Sequence, residues 1–162
     1  MTDVAITQLP AAPLNVFEIW SNPLAVLDRF EKAFGLSLPP LRSSLQLPDR
    51  LLTRCEPTVW LVEGETTGLT ELLGSDGSIT AIGGGLVRVR LTGAGWRSLL
   101  MEGGVFDAES KDFAPGCSAA TVIDNVNVRL LVESDDACLA YVPLSHAHDM
   151  IHFWTVAAES LA

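Results

Sequence analysis

Between Ser78 and Phe106 the spacing of apolar and polar residues changes period, and each change predicts a new element. Leu86 to Thr92 alternates strictly: Val87, Val89 and Leu91 fall on one side, Arg88, Arg90 and Thr92 on the other. Period-two alternation marks a strand with one dry face and one face turned to water or to an interface. Gly93-Ala94-Gly95 then turns the chain into an apolar helix carrying Trp96, Leu99 and Leu100, with a glycine stop before Phe106. An earlier strand from Ser78 runs into Gly83-Gly84-Gly85, expected to be a hairpin connection that needs positive φ.

The same reading extends to both sides. Val16 to Trp20 predicts a short strand. A helix follows, with Asn22 as its cap, Pro23 in the first helical position and Gly35 just past its end. Its expected inner stripe is Leu24, Leu27, Phe30 and Phe34, and Asp28 pairs with Lys32 on the outside. Leu36 to Pro48 holds three prolines and reads as irregular chain suited to wrapping a neighbouring surface. Thr58 to Val62 is the next strand, and a short helix over Leu69 to Leu73 is closed by Gly74. Beyond a loop after Phe106, three strands are expected at Ser118–Ile123, Asn127–Val132 and Ala137–Val142. Asp124-Asn125 and Ser134-Asp135-Asp136 serve as their hairpin turns. A final helix starts near Ser145. Its buried side is Ile151, Trp154, Ala158 and Leu161, opposite a polar stripe of His148, His152, Thr155 and Glu159.

Helices separated by pairs or triples of strands predict an α+β fold of mainly antiparallel sheets; strict strand–helix alternation would have meant a parallel sheet. One domain over residues 1–162, with room for two lobes, is the expected organisation.

Charge narrows the classes of partner. Twenty acidic residues against ten basic ones leave a net charge of −10, which opposes binding to a phosphate backbone. Only 19% of residues are charged and 48% are hydrophobic, a balance that points to a partner covering part of the surface. No apolar run approaches the roughly 20 residues of a membrane helix, and no Lys or Arg precedes Arg29 to form a secretory leader. Cys55, Cys117 and Cys138 are odd in number and widely spaced, so a reducing, cytoplasmic setting is expected.

Four groups of residues are candidates for chemistry. Gly93-Ala94-Gly95-Trp96-Arg97-Ser98 approaches a dinucleotide fingerprint, but Ser98 replaces its third glycine and the strand before it alternates. His148 and His152 stand four apart and face the same way, as a metal pair would, with no reliably placed further ligand. Cys117 follows a Pro-Gly turn and would need an activating histidine nearby in space to act as a nucleophile. Arg88, Arg90 and Arg97 form a small basic group in an acidic chain, best matched to contact with a partner.

An ordered series of motifs resembles the gamma subunit of heterotetrameric sarcosine oxidase, which shares the aminomethyltransferase (folate-binding T-protein) fold. The series is FEKAFGLSLPP, VWLVEGE, VRVRLTGAGWRSLLMEGGVFD, DFAPGCSAATVIDNVNVRL and YVPLSHAHDMIHFWTVAAE. Within it, Leu91, Gly93, Arg97, Leu99 and Leu100 match the family's strand–turn–helix pattern, and Phe113, Pro115 and Gly116 its following loop. Leu144 and His146 stand where an arginine and an aromatic residue are typical, while Ser145 and Ala147 keep the pattern. The resemblance implies a non-catalytic subunit packed on larger flavoprotein (alpha/beta-type) subunits of an oxidase acting on sarcosine or another N-methylated amine. FAD, FMN, NAD and tetrahydrofolate would belong to those partners, with no cofactor, metal or catalytic residue in this chain. The rival reading on the same fold is an autonomous folate-dependent one-carbon transferase, for which Asp76, Asp107 and Asp124 are the carboxylates able to hold a pterin ring.

Overall fold

A computed structural model describes residues 3–161. In chain order the elements are β1 (Ala5–Gln8), β2 (Leu14–Ile19), α1 (Pro23–Phe34), β3 (Ser43–Gln46), β4 (Arg50–Glu56), β5 (Val59–Gly64), α2 (Leu69–Leu73), β6 (Gly77–Ala81), β7 (Leu86–Thr92), α3 (Trp96–Met101), β8 (Ser118–Ile123), β9 (Val126–Ser134), β10 (Ala137–Pro143) and α4 (Ala147–Leu161). They fall into two antiparallel sheets with helices, the α+β class that the pattern of elements predicts. The chain divides into two compact units: Ala12–Gly83, and the segment up to Ala11 together with everything from Gly84 onward.

The contiguous unit holds a sheet in the order β3-β4-β5-β2-β6. Phe17 on β2 faces Trp60 on β5, and their rings meet edge to face with centroids 5.7 Å apart. The Trp60 indole N–H donates to Pro39 O at 3.1 Å, so this large side chain is buried with its polar atom satisfied. Val26, Phe30, Leu52 and Leu69 are wholly inaccessible around it. Burying each such side chain stabilises the fold by roughly 1.5–3 kcal/mol.

Several expectations are corrected in this unit. Leu24 is 80% exposed; the inner face of α1 is centred on Val26 and Phe30, with Leu27 and Phe34 partly buried beside them. Leu24 lies two residues before Val26, about 200° round the helix, so both cannot face inward. Asn22 makes no capping bond: it adopts left-handed backbone angles (φ 48°, ψ 49°) rather than the extended ones of a cap, and its side chain turns to Asp76 instead. Ser43–Gln46, inside the proline-rich stretch, pairs with β4, because the prolines flank that strand without interrupting it. Gly83-Gly84-Gly85 is no hairpin turn: β6 pairs with β2 and β7 with β1 and β10, and none of the three glycines has positive φ. The chain crosses there from one unit to the other.

The discontinuous unit holds a sheet in the order β1-β7-β10-β9-β8. Val89 and Leu91 of β7 are wholly buried while Arg88 and Arg90 alternate with them, as the pattern predicts. The core also takes Trp96, Leu99 and Leu100 from α3, and Met150 and Trp154 from α4. Both central residues of the β8–β9 turn, Asp124 (φ 45°) and Asn125 (φ 63°), are left-handed, as a two-residue hairpin of the primed type requires.

Candidate functional site

In the turn between β7 and α3 both glycine amides are already engaged within the chain. Gly93 N–H donates to Asp136 O at 3.0 Å and Gly95 N–H to Asp3 O at 3.2 Å. Gly93 has φ 105°, and a Cβ there would collide with Asp3 O, so only glycine fits. The Trp96 indole N–H reaches Asp135 O at 2.8 Å. The glycines therefore serve a close junction of this turn, the N-terminal segment and the β9–β10 turn.

Each of the three arginines finds partners inside the chain. Arg88 Nη2 donates to Pro10 O at 2.6 Å, and Arg90 forks onto the Glu133 carboxylate at 2.7 and 2.8 Å. These two share a face of β7, whereas Arg97 is held on α3. Its guanidinium lies over the Trp96 ring, 4.2 Å from the centroid, and Nη1 donates to Ala108 O at 2.6 Å and Phe113 O at 2.9 Å. Arg97 thus staples the loop between α3 and β8, a planar fork suited to two carbonyls at once.

His148 and His152 lie on the exposed side of α4, and among the described residues no three His, Cys, Asp or Glu side chains gather as a metal site would need. The Cys117 thiol is half-buried and donates to Asp112 O at 3.2 Å. Cys138 is wholly buried in the sheet, and burial pushes its thiol up to about 12.

Of the three candidate carboxylates, Asp76 is already engaged by three side-chain donors of its own chain. Its oxygens accept Arg29 Nη2 at 2.6 Å and Ser21 Oγ and Asn22 Nδ2 at 2.8 Å each. The Arg29 guanidinium above all, then Asn22 and Ser21, holds the carboxyl down at about 2. Its carbonyl also accepts Trp20 and Ser21 N–H at 2.7 and 3.2 Å. Asp107 accepts the Glu109 amide at 3.1 Å, and Asp124 sits exposed in the hairpin turn. These contacts make Asp76 an anchor for the start of α1 and do not fit it to hold a pterin.

The features that sequence reasoning missed are apolar side chains left in water. In the contiguous unit Trp20 is 64% exposed, as Leu24 is at 80%. In the other unit, the stretch after α3 folds back on β8: Gly104 forms a bridge with Ile123, and Asp124 N–H donates to Gly103 O at 2.9 Å. Val105, next to the bridged Gly104, is 89% exposed, and Val122, next to the bridged Ile123, and Met101, at the end of α3, are exposed as well. The visible signal was a glycine pair followed by valine between acids, Glu102-Gly103-Gly104-Val105-Phe106-Asp107.

No family model matches the chain, and neither does any curated protein sequence. Solved structures do. A chain of heterotetrameric sarcosine oxidase from Corynebacterium sp. U-96, solved with pyrrole 2-carboxylate, superposes with a TM-score of 0.83 at 14% identity, covering 97% of this chain and 84% of that one. The glycine cleavage system aminomethyltransferase T from Bartonella henselae superposes with a TM-score of 0.66 at 13% identity, covering 94% of this chain but only 45% of that one. At such identities the fold is what is shared, and it is the fold named from the motifs.

Proposed function

We propose that this chain is a non-catalytic, gamma-type subunit of a heteromeric flavin-dependent oxidase that demethylates sarcosine or a related N-methylated amine. The observation that carries this reading is the closer superposition on the sarcosine oxidase chain. The chain fills 84% of its sarcosine oxidase counterpart but less than half of the aminomethyltransferase. The superposition on the sarcosine oxidase chain also has the higher TM-score, 0.83 against 0.66, which favours the first role. The engagement of Asp76 by three donors in its own chain supports the same choice.

On this reading FAD, FMN, NAD and tetrahydrofolate belong to larger flavoprotein subunits in the cytoplasm, and Arg88, Arg90 and Arg97 contribute to the contact with them. The isolated chain turns over no amine. Co-expressed with the flavoprotein subunits from neighbouring reading frames, it copurifies with them in fixed stoichiometry. A chain that passes through purification apart from them overturns the reading.

The shared fold keeps one rival in view, an autonomous folate-binding transferase. Titration with tetrahydrofolate separates the two. Micromolar quenching of tryptophan fluorescence in the isolated chain supports the transferase, and an unchanged spectrum supports the subunit.

A further inference from the structure

We propose that the shelf where residues 101–107 fold back on β8 is the surface that docks on a flavoprotein subunit, through an apolar centre ringed on the partner by Lys and Arg; this rests on the subunit reading above. Val105 follows and Val122 precedes the bridged pair Gly104–Ile123, and both valines and Met101 are exposed. A valine left 89% in water loses its whole burial free energy unless something covers it.

The shelf is held in place before any partner arrives. Gly103 O is bonded to Asp124 N–H at 2.9 Å, and a Cβ on Gly103 would strike the Phe153 ring at 2.7 Å, so the backbone lies flush on α4. Association then orders few groups that were free, which lowers its entropic cost.

Charge selects the occupant. Glu102, Asp107 and Asp124, each within three residues of one of the valines along the chain, are exposed, and between residues 101 and 112 there are four acids against the single Lys111. A second copy of this chain meeting the shelf across a two-fold axis would set the same acids against each other. A partner with basic residues around an apolar patch gains steering and register from them instead. The exposed pair Trp20 and Leu24 has no such one-sided rim, since Asp28, Arg29 and Lys32 carry both signs nearby.

The test uses the full chain co-expressed with the flavoprotein subunits. Val105→Asp and Asp124→Lys each weaken assembly by about tenfold or more, as removal of a hot-spot contact does. Trp20→Ser leaves assembly within about twofold, and added salt weakens the wild-type complex more than it weakens one carrying Asp124→Lys. Val105 is exposed and Asp124 stands at φ 45° in the β8–β9 turn, so circular dichroism of each isolated variant verifies that its fold is kept. If wild type assembles and the Val105 and Asp124 variants assemble as well, the shelf is overturned and the subunit reading stands. If wild type does not assemble, both fall. A homodimer of the isolated chain that Val105→Asp abolishes, seen by sedimentation, replaces the proposed occupant with a second copy.

Discussion

Arg29 donates to Asp76 at 2.6 Å, joining the middle of α1 to the turn before β6, 47 residues further on. The carboxylate gathers Ser21 and Asn22 as well, so a single side chain fixes how the chain enters its first helix. Because Asp76 ionises at about 2 in the folded chain against 3.8 as a free carboxyl, its contribution to stability is fully present above 3.8 and is lost as pH falls through about 2. Denaturant unfolding of the wild type should therefore show a midpoint that drops across that window. The Asp76→Asn variant should begin lower and show a flatter acid limb. An unaltered acid limb would remove the ion pair from the account.

The phase of α1 can be checked with two truncations. Phe30→Ala is expected to cost about 3–5 kcal/mol, because it empties a site with no solvent access. Leu24→Ala should change stability by no more than about 0.5 kcal/mol. Urea midpoints at constant m-value decide it, and comparable losses would restore the sequence-based stripe.

Arg97 is expected to matter for stability whatever its role in contact with a partner. Arg97→Ala removes a charged fork from two carbonyls and one face of the Trp96 ring, for a loss of about 2–3 kcal/mol. Arg97→Lys should recover only part of it, since an ammonium cannot reproduce the planar fork. Limited proteolysis should then cut first within residues 102–117.

Gly93→Ala should destabilise by more than about 1 kcal/mol through φ and the clash with Asp3 O. Adding NAD at millimolar concentration should leave the wild-type unfolding midpoint unmoved, because both glycine amides of the turn already donate, to Asp136 and Asp3. A rise in the midpoint would return the turn to the nucleotide binders.

Cys138 should be the last of the three thiols to react. Burial both blocks the reagent and holds the thiol protonated up to about 12. Iodoacetamide at about pH 8.5, read by mass spectrometry, should label it only on unfolding. Since the folded value lies above the unfolded value of 9.0, the stability it contributes is complete below 9.0 and is lost as pH rises toward about 12.

The legible parts of the fold were those where local pattern and tertiary pairing agree. The predicted bounds of β8 and α2 match the observed ones, and the turn at Asp124-Asn125 joins neighbouring antiparallel strands. β4 escaped detection because its charges obscure the alternation. Arg50 is buried, bonded to Asp49 and to Thr67 O, while Arg54 lies over the Trp60 ring. The run Gly83-Gly84-Gly85 misled for another reason: glycines mark a change of direction but do not say which strand comes next to which. The partners of β6 and β7 lie far away in sequence, and no local signal reports that. Among the site residues, the alternation of Arg88 and Arg90 was readable. Their bonds to Pro10 and Glu133, and the exposure of Val105, depend on distant segments.

Residues 12–83 are spliced into the other unit between β1 and β7, which pair with each other, Leu9 N–H donating to Arg88 O at 2.9 Å. During synthesis the inserted piece is therefore complete while its host still lacks β10, the strand that seats between β7 and β9. The ribosome releases a finished insert first and an unclosed host sheet afterwards, with Val87, Val89 and Leu91 uncovered in the interval. For this molecule the hazard of aggregation lies in its later-emerging half.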